Sequence, residues 1–231
     1  MSDSPRTVVV ASGGVDSTVL AYKLLDSDPR LILLSFDYGQ RHRRELAAAA
    51  GIAARLGAPH ELVDLSPLAS LLTGSALTDP SVHVPDGHYT DVSMATTIVP
   101  NRNAILLSVA VGIAMAHGAR RVAFGAHAGD HAIYPDCRTA FVAAFDRAAR
   151  LGTDTGATEP VGVIAPFASW KKADIVALGA ELGVPFGDTW SCYRGGRAHC
   201  GTCGTCVERR EAFALADVPD PTRYLATAPA R

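Results

Sequence analysis

Apolar residues in this chain come in two recurring forms: short unbroken runs, and longer stretches with apolar positions three or four apart. Val8-Val9-Val10 reads as a fully buried strand and the apolar run Val19–Leu25 as a helix. Arg30–Phe36 repeats the strand signal. The Ala-rich stretch from about Arg43 to Leu56 repeats the helix signal, with Gly57 as its C-cap. Glu61–Leu65 is a third strand. Further on, Asn101 is placed to cap a helix over Ala104–Ala116, and Arg120–Phe124 is a fourth strand. A helix over Thr139–Leu151, a short strand over Val161–Ala165 and a helix over Lys172–Leu182 closed by Gly183 complete the series. Strands apolar on both faces, alternating with helices, predict an α/β fold: a mostly parallel five-stranded sheet with helices on both faces. Such sheets bind ligands beyond the carboxyl ends of their strands. Ser12–Thr18 and Asp37–His42 then share one rim, with Tyr38, Gln40, Arg41 and His42 beside whatever occupies it.

Three stretches break the alternation. Ser66–Pro100 carries four prolines and no clear period, so it reads as a long, lid-like insertion, with His83, His88 and Asp91 as solvated loop residues. Gly125–Arg138 packs His127, His131, Asp130, Asp136, Tyr134 and Arg138 into one strand-end loop, more polar than a turn requires. Beyond residue 189 a glycine-rich segment holds Cys192, Cys200, Cys203 and Cys206. The expected organisation is an α/β domain over 1–189 and a metal-binding segment with a helix over 190–231.

The turn after the first strand carries the clearest chemistry. Ser12-Gly13-Gly14-Val15-Asp16-Ser17-Thr18 joins a strand to a helix through residues small enough for backbone to lie against a ligand. The N–H groups and dipole of the following helix favour an anion there. No lysine follows the glycines, so this is not a Walker A loop, and a bound polyphosphate needs Mg²⁺ and basic residues from elsewhere. Asp16 is the local residue to help hold the metal. An ordinary turn of small residues is the bland alternative. The four cysteines read as a structural Zn²⁺ site, with an iron–sulfur cluster or reduced, metal-free thiols as the other readings. His199 is read as a bystander and Cys137 as a pocket or core thiol.

Composition narrows the field. The chain has 231 residues, 48% hydrophobic and 19% charged, enough for one sizeable core with an appendage. A formal net charge of −2 speaks against a dedicated nucleic-acid binder. No window approaches a membrane span, and the Val8–Ala11 run is too short for a signal peptide, so a cytoplasmic protein with reduced or metal-bound cysteines is expected.

Ser-Gly-Gly-x-Asp-Ser after a first strand resembles the PP-loop of the ATP pyrophosphatases, which binds the pyrophosphate of ATP while a substrate attacks the α-phosphorus. Further blocks extend the resemblance over nearly the whole chain: Phe36–His42, Val99–Asn103, Tyr134–Arg138, Lys172-Ala173-Asp174 and the four-cysteine tail. Together they resemble the 7-cyano-7-deazaguanine synthase (QueC) family. The resemblance implies ATP-dependent conversion of 7-carboxy-7-deazaguanine and ammonia to 7-cyano-7-deazaguanine, by a homodimer acting on a small molecule. It implies ATP contacts over Ala11, Ser12, Gly13, Gly14, Val15, Asp16, Ser17, Thr18, Val19, Leu20 and Ala21. Asp16, Arg102 and Lys172 are the implied catalytic residues; Gln40, Arg41, His42, Tyr134, Asp136 and Arg138 the implied substrate contacts. The chain departs from many members at Ala126–His131. That departure raises the alternative of a relative that stops at the amide or joins the deazaguanine to a protein amine. A tRNA-thiolating PP-loop enzyme and a non-enzymatic nucleotide-binding protein are the remaining alternatives; neither an added nucleic-acid module nor a strongly basic balance is visible.

Overall fold

The computed structural model describes residues 7–88 and 94–225. Its regular elements are β1 (Thr7–Val10), α1 (Val15–Leu25), β2 (Leu31–Asp37), α2 (Arg44–Leu56), β3 (His60–Asp64), α3 (Arg102–Ala116), β4 (Arg121–Ala123), α4 (Thr139–Thr153), β5 (Gly162–Ile164), α5 (Lys172–Glu181) and α6 (Gly204–Leu215), with short 3₁₀ turns between some of them. The five strands form one sheet in the order β3-β2-β1-β4-β5, and every pair is parallel. Thr7 of β1 registers with Leu31 on one side and Arg121 on the other. The strand order therefore reverses between β1 and β4, where a crevice opens at the carboxyl ends.

Alternate strand residues feed two separate cores. Val8, Ile32, Leu34, Phe36 and Val122 pack with Leu106, Leu107 and Ala110 of α3 and with α4. Val9, Leu31, Leu33 and Ala123 face the other way, onto α1, α2, α5 and α6, through Leu20, Ile52, Ile175 and Phe213 among others. This two-sided burial explains the unbroken apolar strand runs. It also draws α6 into the main core. Ala212 and Phe213 are both buried there, and Phe213 meets Phe186 edge-on at 4.8 Å.

Two local readings need correction. Asn101 does occupy the N-cap position of α3, but at φ 51° it lies in the left-handed region and its side chain makes no capping bond. The Asp136 carboxylate instead accepts the Asn103 N–H at 2.9 Å, so the cap arrives from a distant segment. The stretch read as a lid-like loop contains a 3₁₀ turn over Ser66–Ser70 and buries Leu77, Met94 and Val99 in the first core. The Arg41 guanidinium holds it by donating to the carbonyls of Asp79 and Val82. Asp91 lies outside the described residues.

Candidate functional site

The β1–α1 turn is held by its own hydroxyls. The Ser12 N–H donates to Ser17 Oγ at 3.2 Å, the two serine hydroxyls lie 3.1 Å apart, and the Gly14 N–H donates to Ser12 Oγ at 3.3 Å. Gly13 takes φ 76°, and a Cβ there would collide with the Glu45 carbonyl of α2. Gly14 caps α1 without a side-chain bond, which leaves the first N–H groups of the helix to serve a ligand. Across the crevice Gly125, just after β4, lies so close that a Cβ would come 3.2 Å from the Ser17 nitrogen. Small residues on both sides let the two strand ends approach.

A cavity of about 210 Å³ opens above this turn. Ala11, Ser12, Asp16 and Ser17 line it from β1–α1; Tyr38, His42 and Glu45 from beyond β2; Arg102 and Asn103 from α3; Asp130 and Cys137 from beyond β4; and Tyr193 from the cysteine-rich loop. Arg102 lies over the Tyr38 ring, 5.6 Å from its centroid, and donates to the Tyr38 hydroxyl at 3.3 Å. No carboxylate pairs with it among the described residues. Burial works against its charge, yet the surrounding Tyr38, Tyr193 and Tyr134 oxygens outweigh that and keep the guanidinium firmly protonated. Tyr38 is pushed up to about 12 by burial, so its hydroxyl stays neutral.

Lys172 is differently placed. Its ammonium stands 3.0 Å from Asp16 Oδ2 and 3.0 Å from Glu208 Oε2. Burial works against its charge, but the Asp16 and Glu208 carboxylates outweigh that and hold its pKa above the ordinary lysine value. Asp16 is its mirror image: burial pushes it up, and Lys172 followed by His127 pulls it below the usual carboxylate range. One oxygen of Asp16, Oδ1, is buried with no partner among the described residues. An ionised carboxylate with one uncommitted oxygen beside a phosphate-type turn fits a hard divalent cation.

Several of the side chains expected at the site are engaged within the fold. Val15, Val19, Leu20 and Ala21 bury their side chains in the core behind the turn, and Thr18 is buried with them. Gln40 braces its own turn, accepting the Tyr38 N–H and donating to the Phe36 carbonyl and Glu45. Arg41 is committed to the 79–82 backbone, Asp136 to the α3 cap, and Arg138 to the His131 carbonyl at 2.9 Å. Tyr134 is buried with its hydroxyl 2.8 Å from that of Thr97. His42 and Arg102 do reach the cavity. His127 and Asp130 cap the short turn Ala128–Ala132: His127 Nδ1 accepts the Gly129 N–H, and Asp130 accepts the His127 N–H. Glu45 and Tyr193 also line the cavity, and Glu208 stands beside Lys172, with no sequence pattern to single them out. Glu208 follows Cys206 by two positions, and nothing in its local pattern reveals that α6 delivers it to Lys172.

The four cysteine sulfurs all lie within 4.8 Å of one another, with Cys200 and Cys206 at 3.9 Å. Zn–S bonds of about 2.3 Å imply sulfur separations of about 3.8 Å around one tetrahedral ion, so the group fits a single metal ion. The Cys200 N–H donates to Cys192 Sγ at 3.4 Å and the Cys203 N–H to Cys200 Sγ at 3.3 Å. His199 is outside the group; it accepts the Ser191 N–H at 3.0 Å and its ring lies 4.2 Å from that of Trp190. Cys137 is buried, lines the cavity and takes a hydrogen bond from Asn103 at 3.2 Å.

The model of the family "Queuosine biosynthesis protein QueC" matches residues 6–217. The 7-cyano-7-deazaguanine synthase of Rhizobium meliloti is 56% identical over 219 residues, covering 95% of this chain and 92% of its own. Among solved structures, an NMN synthetase from Francisella tularensis superposes with a TM-score of 0.50 at 14% identity, covering 98% of this chain and 89% of that one. The U34-tRNA thiolase NcsA of Methanococcus maripaludis, described with its [4Fe-4S] cluster, gives 0.50 at 16% identity, covering 94% and 66%. At that identity both likenesses concern the fold alone.

Proposed function

The chain belongs to the QueC family, and from that premise we propose that its cavity converts 7-carboxy-7-deazaguanine, ATP and ammonia into 7-cyano-7-deazaguanine. The observation that carries this is the pairing of opposite needs around one cavity. A helix N-terminus awaits phosphate, and Arg102, a cation with no carboxylate partner among the described residues, awaits a second anion.

A carboxylate resists amines because its leaving group would be oxide. Attack of the carboxylate oxygen on the α-phosphorus of ATP expels pyrophosphate and leaves an acyl adenylate, whose leaving group is AMP. Ammonia then displaces AMP to form the amide. A second adenylation, on the amide oxygen, allows AMP to depart as the nitrile forms. The Gly13–Ser17 turn and the α1 N-terminus hold the polyphosphate. Arg102 orients the substrate carboxylate, and Lys172, released in part from Asp16, meets developing phosphate charge. Mg²⁺ on Asp16 would neutralise the phosphates when bound. Cys192, Cys200, Cys203 and Cys206 would hold a structural Zn²⁺. The family resemblance further supports a cytoplasmic homodimer with no nucleic-acid partner, which sedimentation and a tRNA titration test.

The deciding experiment supplies 7-carboxy-7-deazaguanine, Mg-ATP and ammonium and follows the products by mass spectrometry. The nitrile is expected, with a transient amide one water heavier, and AMP with pyrophosphate as nucleotide products. ADP as the sole nucleotide product would contradict the phosphate chemistry. An amide that accumulates without dehydration, or a protein that gains the deazaguanine mass, would select the alternative endpoints.

A further inference from the structure

Lys172 is tied to two carboxylates from opposite ends of the chain. Its ammonium donates to Asp16 Oδ2 in the phosphate turn and to Glu208 Oε2 on α6, each at 3.0 Å. The lysine side chain is only 16% exposed, so protein groups must meet its charge. The two partners differ in what else they face. Asp16 lines the cavity, and its Oδ1 is buried with no partner among the described residues. Glu208 is outside the cavity lining. Its Oε1 lies 3.9 Å from His127 Nε2 and packs against Gly129, where a Cβ would come 3.6 Å from it.

The turn of α6 that carries Glu208 is itself anchored. The neighbouring Arg209 is fully buried and donates to Asp220, Thr189 and the Phe186 carbonyl. A nucleotide that enters the cavity with its divalent cation meets Asp16 and not Glu208. One carboxylate cannot neutralise both that cation and a buried ammonium. Among the described residues Glu208 is the other carboxylate within hydrogen-bond distance of Lys172.

We propose that Glu208 is the positioning residue for Lys172: it holds the ammonium beside the phosphate turn once the nucleotide engages Asp16. The inference rests on the proposed function. Before the nucleotide binds, Asp16 and Glu208 share the ammonium. Afterwards Glu208 carries the countercharge, and the ammonium stays in place to meet the charge that develops as pyrophosphate leaves. No proton changes hands.

A double-mutant cycle separates this role from a structural one. Pyrophosphate–ATP exchange, measured with 7-carboxy-7-deazaguanine and no ammonium, reports adenylation. In Glu208→Gln, kcat/KM for ATP in this assay should fall ~10–100-fold, the usual cost of losing an outer partner of a site residue. The KM for 7-carboxy-7-deazaguanine should not change, because Arg102 holds that carboxylate. Calorimetry with Mg²⁺ and α,β-methylene-ATP, which cannot be cleaved at that bridge, should show the same variant binding more weakly. In a Lys172→Met background Glu208→Gln should cause no further loss in either measurement. A further loss of the same size there would overturn the proposal. So would a KM for 7-carboxy-7-deazaguanine that rises in step, parental values for Glu208→Gln, or a zinc content that falls with the rate, since the effect would then pass through the cysteines. Absence of exchange in the unaltered protein, or full exchange in Lys172→Met, would instead overturn the functional reading on which it rests.

Discussion

Gly13 and Arg102 carry different kinds of constraint. At Gly13 both the left-handed backbone and the Glu45 carbonyl exclude a side chain. Gly13→Ala should therefore lower stability by ~1–3 kcal/mol, the usual size of a non-glycine residue held at such a conformation. It should weaken ATP binding as well, as thermal melting with and without Mg-ATP would reveal. A rise in melting temperature would contradict the packing described. At Arg102 the constraint is electrostatic. Lys172 is already engaged by Asp16 and Glu208, whereas Arg102 has only the Tyr38 hydroxyl and ring. Arg102→Gln should cut kcat/KM for the carboxylate substrate by ~10²–10³. Arg102→Lys should recover little of it, because an ammonium cannot reproduce a planar fork that bonds a carboxylate through two N–H groups. Full activity in Arg102→Gln would remove this residue from the site.

Helices α3 and α6 each aim a charged residue from near their N-terminal ends. The α3 N-terminus delivers Arg102, and its cap comes from Asp136 across the chain. Asp136→Ala should cost ~1 kcal/mol, about 2–4 °C of melting temperature in a protein of this size. It should also raise KM for the substrate, since the helix entry that places Arg102 loosens. An unchanged melting temperature would show that the cap is dispensable. The α6 N-terminus holds Cys203 and Cys206, and the next turn carries Glu208 to Lys172. Fixing the sulfurs thus fixes a carboxylate beside the phosphate turn.

The whole molecule is joined around the cysteine group. Asp86 pairs as an isolated bridge with Cys203, the Gly87 N–H donates to the Thr202 carbonyl at 2.8 Å, and Arg194 meets Asp86 at 2.6 Å. Tyr193, beside Cys192, lines the cavity. Loss of the metal should therefore reach the cavity by two routes, through Tyr193 and through Glu208. Structural zinc contributes ~10–16 kcal/mol of apparent binding in small peptides. Cys203→Ser should lower metal content, melting temperature and turnover together, although no cysteine sulfur of this group lines the cavity. Freshly purified protein should hold one zinc per chain by metal analysis. Iron in its place, or a Cys203→Ser variant with full zinc and full stability, would overturn the assignment.

Local pattern was enough for much of this. Strands buried on both faces must be apolar throughout, a glycine pair between strand and helix has few other uses, and four cysteines in a flexible loop can converge on one ion. The alternation of elements, the glycine turn between β1 and α1 and the convergence of four cysteines were legible for those reasons. The identity of the cavity wall was not. Gln40 and Arg41 have side chains suited to a ligand, and only packing shows them bonded within a turn and to distant backbone. Glu208 and Tyr193 come from the far end of the chain, where no periodicity marks them. Sequence determines which groups a segment can offer; the tertiary structure decides which of them remain unpaired, because most buried polar groups are paired by partners that packing brings from elsewhere in the chain.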